Sequence, residues 1–371
     1  MNIVIATAIC ISAVLGLTAA ILAYNGRAID VRTEKALPKL SGELCEVLYL
    51  GSLAPSSHNL QSLRVSVYPS KEKIAVAVDP GRRLEVVDPD GRELYISLGC
   101  YVRMLMNAFE AYGYKTELTF DPADGDPVLY YHGEKGVCNW ALSETIRLRH
   151  TDKSAYDPSR AITQTDFDAL LFDHNNVYYF GRFDNDSYLS ESNGFATIKE
   201  QTMIAYKRQA YDQAAAKELA KWLRFSDKEA MQEKDGLPAE QLGITGIKKS
   251  LYYLFTDRDS AQGETFAKQG IDTTEKQLDG CAGFVVIASG YEKQELIECG
   301  MKTVDVWMAL TRAGISVQPM SYSIEDKDSK KALSDALGID DPQMILRIGY
   351  TSEYGRNNAI RRDPADYISV Y

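Results

Sequence analysis

Leu44, Val47, Leu48 and Leu50 recur at helical spacing behind a Ser41 cap and predict a helix from Ser41 to about Leu53. Next, Leu63-Val65-Val67 and Ile74-Val76-Val78 alternate on either side of Pro69-Ser70-Lys71-Glu72, the pattern of a hairpin. After the polar turn "DPDGRELYISLG", the apolar positions Leu98, Val102, Leu105, Phe109 and Tyr112 line one face of a long helix. That helix has an echo. "GCYVRMLMNAFEAYG" (99–113) and "GMKTVDVWMALTRAG" (300–314) both run from Gly to Gly over the same spacing. Each has an apolar β-rich stretch before it ("KIAVAVD", "GFVVIAS") and another after it ("YKTELTF", "ISVQPMSY"). The chain therefore reads as two halves of one motif, joined near residues 135–160.

The second half continues with a helix over about Gln164 to Phe172, a strand "VYYFGRF" and one long Ala/Lys/Glu-rich helix from about Ala196 to Phe225. From 226 to 273 the pattern is Gly-punctuated, with "SLYYLF" its one clear core element, as expected of a lid or binding loop. A strand "MILRIGY" and a basic tail close the chain. Strands, hairpins and helices interleave without a strict βαβ period, which predicts an α+β fold of sheets flanked by helices.

The N-terminal stretch differs from everything after it. From Met1 to Tyr24 no side chain is charged and nearly all are apolar, enough at about 1.5 Å rise per residue to cross a hydrocarbon core of about 30 Å. A transmembrane anchor is expected over 1–24, followed by a polar linker over 25–40. A signal peptide would want a basic n-region, absent here, and a clear cleavage site, for which Thr18-Ala19-Ala20 and Gly26-Arg27-Ala28 are weak candidates. Arg27, Arg32, Lys35 and Lys39 follow the span and no cation precedes it, so the positive-inside bias places the body in the cytoplasm.

Composition removes several functions. The net charge of −11 repels nucleic-acid phosphates, and no Lys/Arg stripe reverses it locally. Six cysteines without a CxxC, and four histidines without ligand spacing, support neither a disulfide framework nor a metal.

Two stretches carry candidate chemistry. In "LAPSSHNLQSLRV" (53–65), Ser56, Ser57, Asn59 and Gln61 offer neutral donors and acceptors suited to the edge of a planar heteroaromatic ring. A helix-exit turn with Asx-type capping uses the same residues. In "RLRHTDK", alternate residues Arg147, Arg149, Thr151 and Lys153 share a face that fits a phosphate, or else form a solvated basic patch. Arg361 and Arg362 could add charge to the same anion. No GxSxG elbow surrounds the serines and no GxGxxG or Walker loop is present.

"APSSHNLQSLRV" resembles the Ala-Pro-Ser-Ser-x-Asn-x-Gln-Pro-Trp-Arg loop of the nitroreductase superfamily, flavin enzymes that bind FMN at a dimer interface. From about Ser41 onward the chain is similar to the Acg-like tandem nitroreductases, and "DPDGRELYISLGC" and "RHTDKSAYDP" fit that pattern. The resemblance implies two fused nitroreductase-like halves, 41–140 and 141–371, related by a pseudo-twofold axis behind the N-terminal helix. It implies one FMN held between them, NAD(P)H as transient hydride donor and a nitroaromatic, quinone or similar small-molecule acceptor. Homo-oligomerisation is then not required.

Residue by residue, Arg149, Thr151 and Lys153 match the family's phosphate-holding segment and Arg362 its late arginine. Pro55, Ser56, Ser57 and Asn59 match the ring-facing loop, Lys276 in "TTEKQLDG" a lysine near the flavin N1/O2 edge, and Ser321 and Tyr322 the segment near N5. No protein acid or base is obligatory, since the flavin carries the chemistry. Ser62-Leu63 stands where the family has Pro-Trp, and His150 and Lys153 replace arginines. A non-catalytic protein that sequesters FMN or senses redox state beneath the 226–273 segment is the alternative.

Overall fold

The fold was taken from a computed structural model that describes residues 16, 17, 20 and 22–371, apart from 134, 172, 174, 185, 186, 358 and 359. Two sheets carry its core. In the first half the strands are β1 (Leu63–Tyr68), β2 (Lys73–Val78), β3 (Lys115–Phe120) and β4 (Pro127–His132). The second half adds β5 (Val177–Gly181), the short pair β6 (Phe183–Asp184) and β7 (Ser187–Glu191), then β8 (Gly283–Ala288), β9 (Ser316–Pro319), β10 (Pro342–Gly349) and β11 (Ile368–Val370). One sheet runs β11-β1-β2-β4-β3 and the other β5-β8-β10-β9. Leaving β11 aside, both follow the same antiparallel order, with β1, β2, β3 and β4 corresponding to β5, β8, β9 and β10. The C-terminal β11 returns to the first half and pairs parallel with β1, Val65 opposite Ile368 and Val67 opposite Val370.

Helices complete each layer: α1 (Gly42–Ser52), α2 (Arg92–Ala111), α3 (Trp140–Leu148), α4 (Gln164–Asp168), α5 (Asn193–Tyr211) and α6 (Gln213–Trp222). They continue with α7 (Asp227–Glu233), α8 (Gly246–Phe255), α9 (Glu264–Asp279), α10 (Lys293–Arg312), α11 (Tyr322–Glu325) and α12 (Lys327–Leu337). The echoed helices α2 and α10 pack on one another through the first glycine of each repeat. A Cβ on Gly99 would collide with the Ile297 carbonyl, and one on Gly300 with the Ile96 carbonyl. Each glycine thus meets the residue three positions before the other. Close approach buries Phe109, Trp307, Val304 and Leu105 in one core that reaches both sheets.

Two sequence expectations change. The single helix from 196 to 225 is broken at Asp212, which takes an extended ψ of 119°. Its carboxylate accepts the Ala215 amide at 2.8 Å, so a strong N-cap starts α6 and outweighs the helix propensity running through the segment. The 226–273 insertion is largely helical rather than irregular: α7, α8 and the start of α9 lie within it, with Gly246 opening α8 and Gly263 capping α9. Among the described residues no helix is long and apolar enough to cross a membrane. The span expected over 1–24 lies mostly outside the described residues.

Candidate functional site

Helix α1 ends under the opening loop, and its last carbonyls have no intrahelical partner. Two arginines distant in sequence supply the donors. Arg361 donates through Nε to the Ser52 carbonyl at 2.5 Å and through Nη2 to the Leu53 and Ala54 carbonyls, each at 3.2 Å. Arg149 donates through Nη2 to the same Leu53 carbonyl at 2.5 Å, with its guanidinium 4.7 Å from the Trp307 ring centre. Cations at a helix C-terminus are favoured by the dipole. Yet Arg149 is 1% and Arg361 3% exposed, and among the described residues neither has a carboxylate partner. Burial lowers the Arg149 pKa to about 10; burial and the neighbouring Arg149 lower that of Arg361 to about 9.

Arg361 uses its donors fully, one of them on Asn59 Oδ1 at 3.0 Å. Arg149 does not: its Nε and Nη1 are buried without a hydrogen-bond partner. A buried charge with unspent donors costs free energy unless an anion answers it. Further along the same extended segment, Thr151 is exposed and forms an isolated bridge with Val317, while Lys153 turns back to a half-buried position. No carboxylate among the described residues pairs with the Lys153 ammonium, and burial lowers its pKa to about 8. Arg149 and Lys153 thus each keep cationic donors that no carboxylate among the described residues answers.

The opening loop is held in a strained shape, with positive φ at His58 (47°), Asn59 (53°) and Gln61 (51°). Its amides and carbonyls are spent on the protein itself. Asn59 Nδ2 donates to the Gly236 carbonyl at 3.1 Å and to the Ile360 carbonyl at 3.2 Å. Gln61 Nε2 donates to the Lys234 carbonyl at 3.0 Å, and its Oε1 accepts the Arg362 amide at 2.8 Å. Ser56 Oγ accepts the Gln61 amide at 3.2 Å. Asn59 and Gln61 thus brace the loop against the insertion and the C-terminal segment. Pro55, Ser56 and Ser57 stay half-buried.

Ser57 leads to a group that sequence reasoning missed. Its hydroxyl donates to Glu93 Oε2, and Glu93 pairs with Arg92 at 2.7 Å. Burial opposes ionisation of Glu93, but Arg92, Ser57 and His58 hold its pKa below the usual carboxylate range. Burial and that neighbouring charge push Glu325 well above its ordinary value, and Gln209 Nε2 donates to Glu325 at 2.6 Å. Glu93 stands inside "DPDGRELYISLG", where a helix-start reading gave no reason to single it out.

The remaining candidates divide. Ser321, between β9 and α11, is buried against β10, its Oγ accepting the Ile345 amide at 3.2 Å, and the Tyr322 ring centre lies 4.4 Å from that of Tyr206. Arg362 donates to the Gln61 carbonyl at 3.1 Å and to the Asp366 carbonyl at 3.1 Å. Lys276 lies on the exposed face of α9, whereas its neighbour Gln277 points inward and donates to the Lys153 carbonyl at 2.7 Å. Gln277 also accepts from Gln318 at 3.2 Å, so "QPMSY" reaches the cationic segment through Gln318. Among the described residues no His/Cys/Asp/Glu group could hold a metal.

No family model matches the chain. A probable NAD(P)H nitroreductase of Serratia sp., PigM, is 22% identical over 336 residues, covering 84% of this chain and 89% of its own. The chain resembles the NAD(P)H nitroreductases. A putative NAD(P)H nitroreductase of Mycobacterium tuberculosis is 23% identical over 318 residues, 82% of this chain and 84% of that one. The FMN-dependent nitroreductase NfnB of Mycobacterium smegmatis, solved with NADPH, aligns over 60% of this chain and 92% of its own at 15% identity. Its TM-score to this chain is 0.37. In this nitroreductase-like chain the matched length includes both halves, since no half alone could supply 336 residues.

Proposed function

We propose that the chain is an NAD(P)H-dependent FMN oxidoreductase of the nitroreductase type. The observation that carries this reading is the buried Arg149, with two unspent donors beside Arg361 and no carboxylate, in a chain similar over most of its length to NAD(P)H nitroreductases. FMN, when bound, supplies the hydride acceptor and passes the electrons to a nitroaromatic, quinone or similar small molecule.

Arg149, Lys153 and Arg361 would hold its phosphate: Arg149 through its free donors, Lys153 as a mobile point charge, and Arg361 by the field of a guanidinium already fixed. Arg362 and Thr151 would add to the margin of that group. The half-buried Pro55, Ser56 and Ser57 would form the ledge under the ring, with Asn59 and Gln61 keeping the ledge in shape. Ser321 and Tyr322 would close the far side, and Lys276 would have to reach inward from an exposed position. The matching strand orders support an origin by fusion of two subunits of a twofold dimer, leaving one composite site and an acceptor pocket between the halves. Residues 1–24 serve in this reading as a membrane anchor, with the body on the cytoplasmic side.

One observation favours a second reading, a protein that sequesters FMN or senses redox state. The Lys234–Gly236 segment of the insertion sits on the loop, with the Gly236 amide donating to the Asn59 carbonyl at 3.2 Å, and restricts access to it. Anaerobic stopped-flow mixing of the yellow protein with NADH and NADPH separates the two. Bleaching of the flavin by either nucleotide supports the oxidoreductase; bleaching by dithionite alone eliminates it. A colourless purified protein that takes up no added FMN removes both.

A further inference from the structure

We propose that α8 lies in the interfacial layer of a lipid bilayer, with Ile247, Leu251, Leu254 and Phe255 turned into it. This inference rests on the reading of residues 1–24 as an anchor. These four side chains follow one another at i, i+4, i+7 and i+8, one stripe of a helix, and they are 57%, 40%, 66% and 74% exposed. An apolar stripe turned to water is unusual on a surface helix, whose apolar face ordinarily points to the core.

The helix cannot roll to bury that stripe, because its opposite side is pinned. Lys249 is fully buried; its Nζ pairs with Asp227 at 2.7 Å and Glu240 at 2.6 Å and donates to the Arg27 carbonyl at 2.7 Å. Tyr253 Oη accepts the Ala239 amide at 3.3 Å. Ser250 Oγ donates to the Leu22 carbonyl at 2.6 Å. Lys249 and Ser250 thereby tie α8 to the last residues of the uncharged N-terminal stretch.

That tie identifies the occupant. The stretch from Met1 to Tyr24 carries no charge and is long enough to cross a bilayer, and it joins the body at Leu22–Arg27, directly against α8. Leu17 and Tyr24, on the N-terminal side of that junction, are likewise exposed, at 64% and 66%. Arg27 lies 4.9 Å from the Tyr24 ring centre, an aromatic and a cation paired where a membrane interface places them. A helix of ten residues is too short to span, but its stripe suits shallow insertion of about 5–10 Å. The linker is held to the body by further bonds, such as Ile29 N–H to Glu240 at 3.0 Å and the Glu34 amide to Asp363 at 2.7 Å. The body would therefore rest on the bilayer in one orientation instead of swinging on a free tether.

The test is spin-label accessibility in the full chain, reconstituted in phosphatidylcholine/phosphatidylglycerol vesicles after Cys10→Ser and Cys138→Ser. Leu251→Cys and Phe255→Cys carry the label in separate proteins, and Lys331→Cys, on the exposed face of α12, is the aqueous control. The expected result is collision with oxygen and a several-fold lower collision rate with a water-soluble nickel complex at 251 and 255 than at 331. Nickel access equal to the control overturns the proposal, with flotation of the protein on the vesicles leaving the anchor standing. Low access to both reagents means that protein covers the stripe, the chain's own N-terminal residues included, and also overturns it. Failure to float removes the anchor reading and this inference together.

Discussion

Arg149 and Arg361 donate to the same backbone oxygen, the carbonyl of Leu53, at 2.5 Å and 3.2 Å. Two buried guanidiniums converge there on the negative end of α1, and only Arg361 is fully used. Replacing Arg149 by Ala should weaken FMN retention by about 1.5–3 kcal/mol, the scale of a charge-assisted hydrogen bond. Arg149→Lys should recover part of that loss, since it restores charge without the planar fork. Fluorimetric titration with FMN checks both, and an unchanged dissociation constant for Arg149→Ala rejects the phosphate role.

Lys153 predicts how binding depends on pH. With its pKa lowered to about 8 by burial, the side chain is charged below that pH and neutral above it. A bound phosphate raises that pKa, so affinity is full below about pH 8 and falls as the pH rises from there towards the pKa of the bound state. The slope should disappear in Lys153→Arg, which stays charged throughout. Equal slopes in the two proteins would exclude Lys153 from the anion site.

At the crossing of α2 and α10 there is no room for a methyl group. Gly300→Ala should cost about 1–3 kcal/mol by overpacking against the Ile96 carbonyl, and Gly99→Ala should cost as much for the mirrored reason. Thermal unfolding of both variants tests the symmetry of the contact. A change at one position without the other would mean that the helices are not related as their sequences suggest.

Asp235 holds the insertion on the loop. It is 3% exposed and pairs with both Arg82 and Arg224. Asp235→Ala leaves these arginines without their shared carboxylate, and a loss of about 3–5 kcal/mol is expected from a broken buried pair. Hydrogen exchange should also speed up at the Gly236 amide, which is bonded to the Asn59 carbonyl at 3.2 Å. Unaltered exchange there would show that the insertion is held by other contacts.

Local patterns were readable in the chain because they depend on neighbours in sequence. The Gly-to-Gly echo marked α2 and α10, and the alternation around Pro69-Ser70-Lys71-Glu72 marked the β1–β2 hairpin. "SLYYLF", expected as a core element, forms the end of α8 but leaves Leu251, Leu254 and Phe255 exposed. The alternation from Arg147 to Lys153 did not give one face: Arg147 lies in the last turn of α3 and pairs with Glu46, Arg149 is buried, and Thr151 is exposed and bridged to Val317. The Asp212 break was missed because propensity summed over a long window hides one capping residue.

What the sequence determined by itself was periodicity, charge and the identity of the polar groups, which are properties of short segments. Only the tertiary structure decided which of these groups remain available. Asn59 and Gln61 satisfy backbone groups of segments far along the chain, Lys276 faces solvent while Gln277 turns in, and Arg149 keeps two donors in reserve. The physical reason is that a buried polar atom must find a partner, and whether the chain or a ligand supplies it depends on which distant segments the fold brings within about 3 Å.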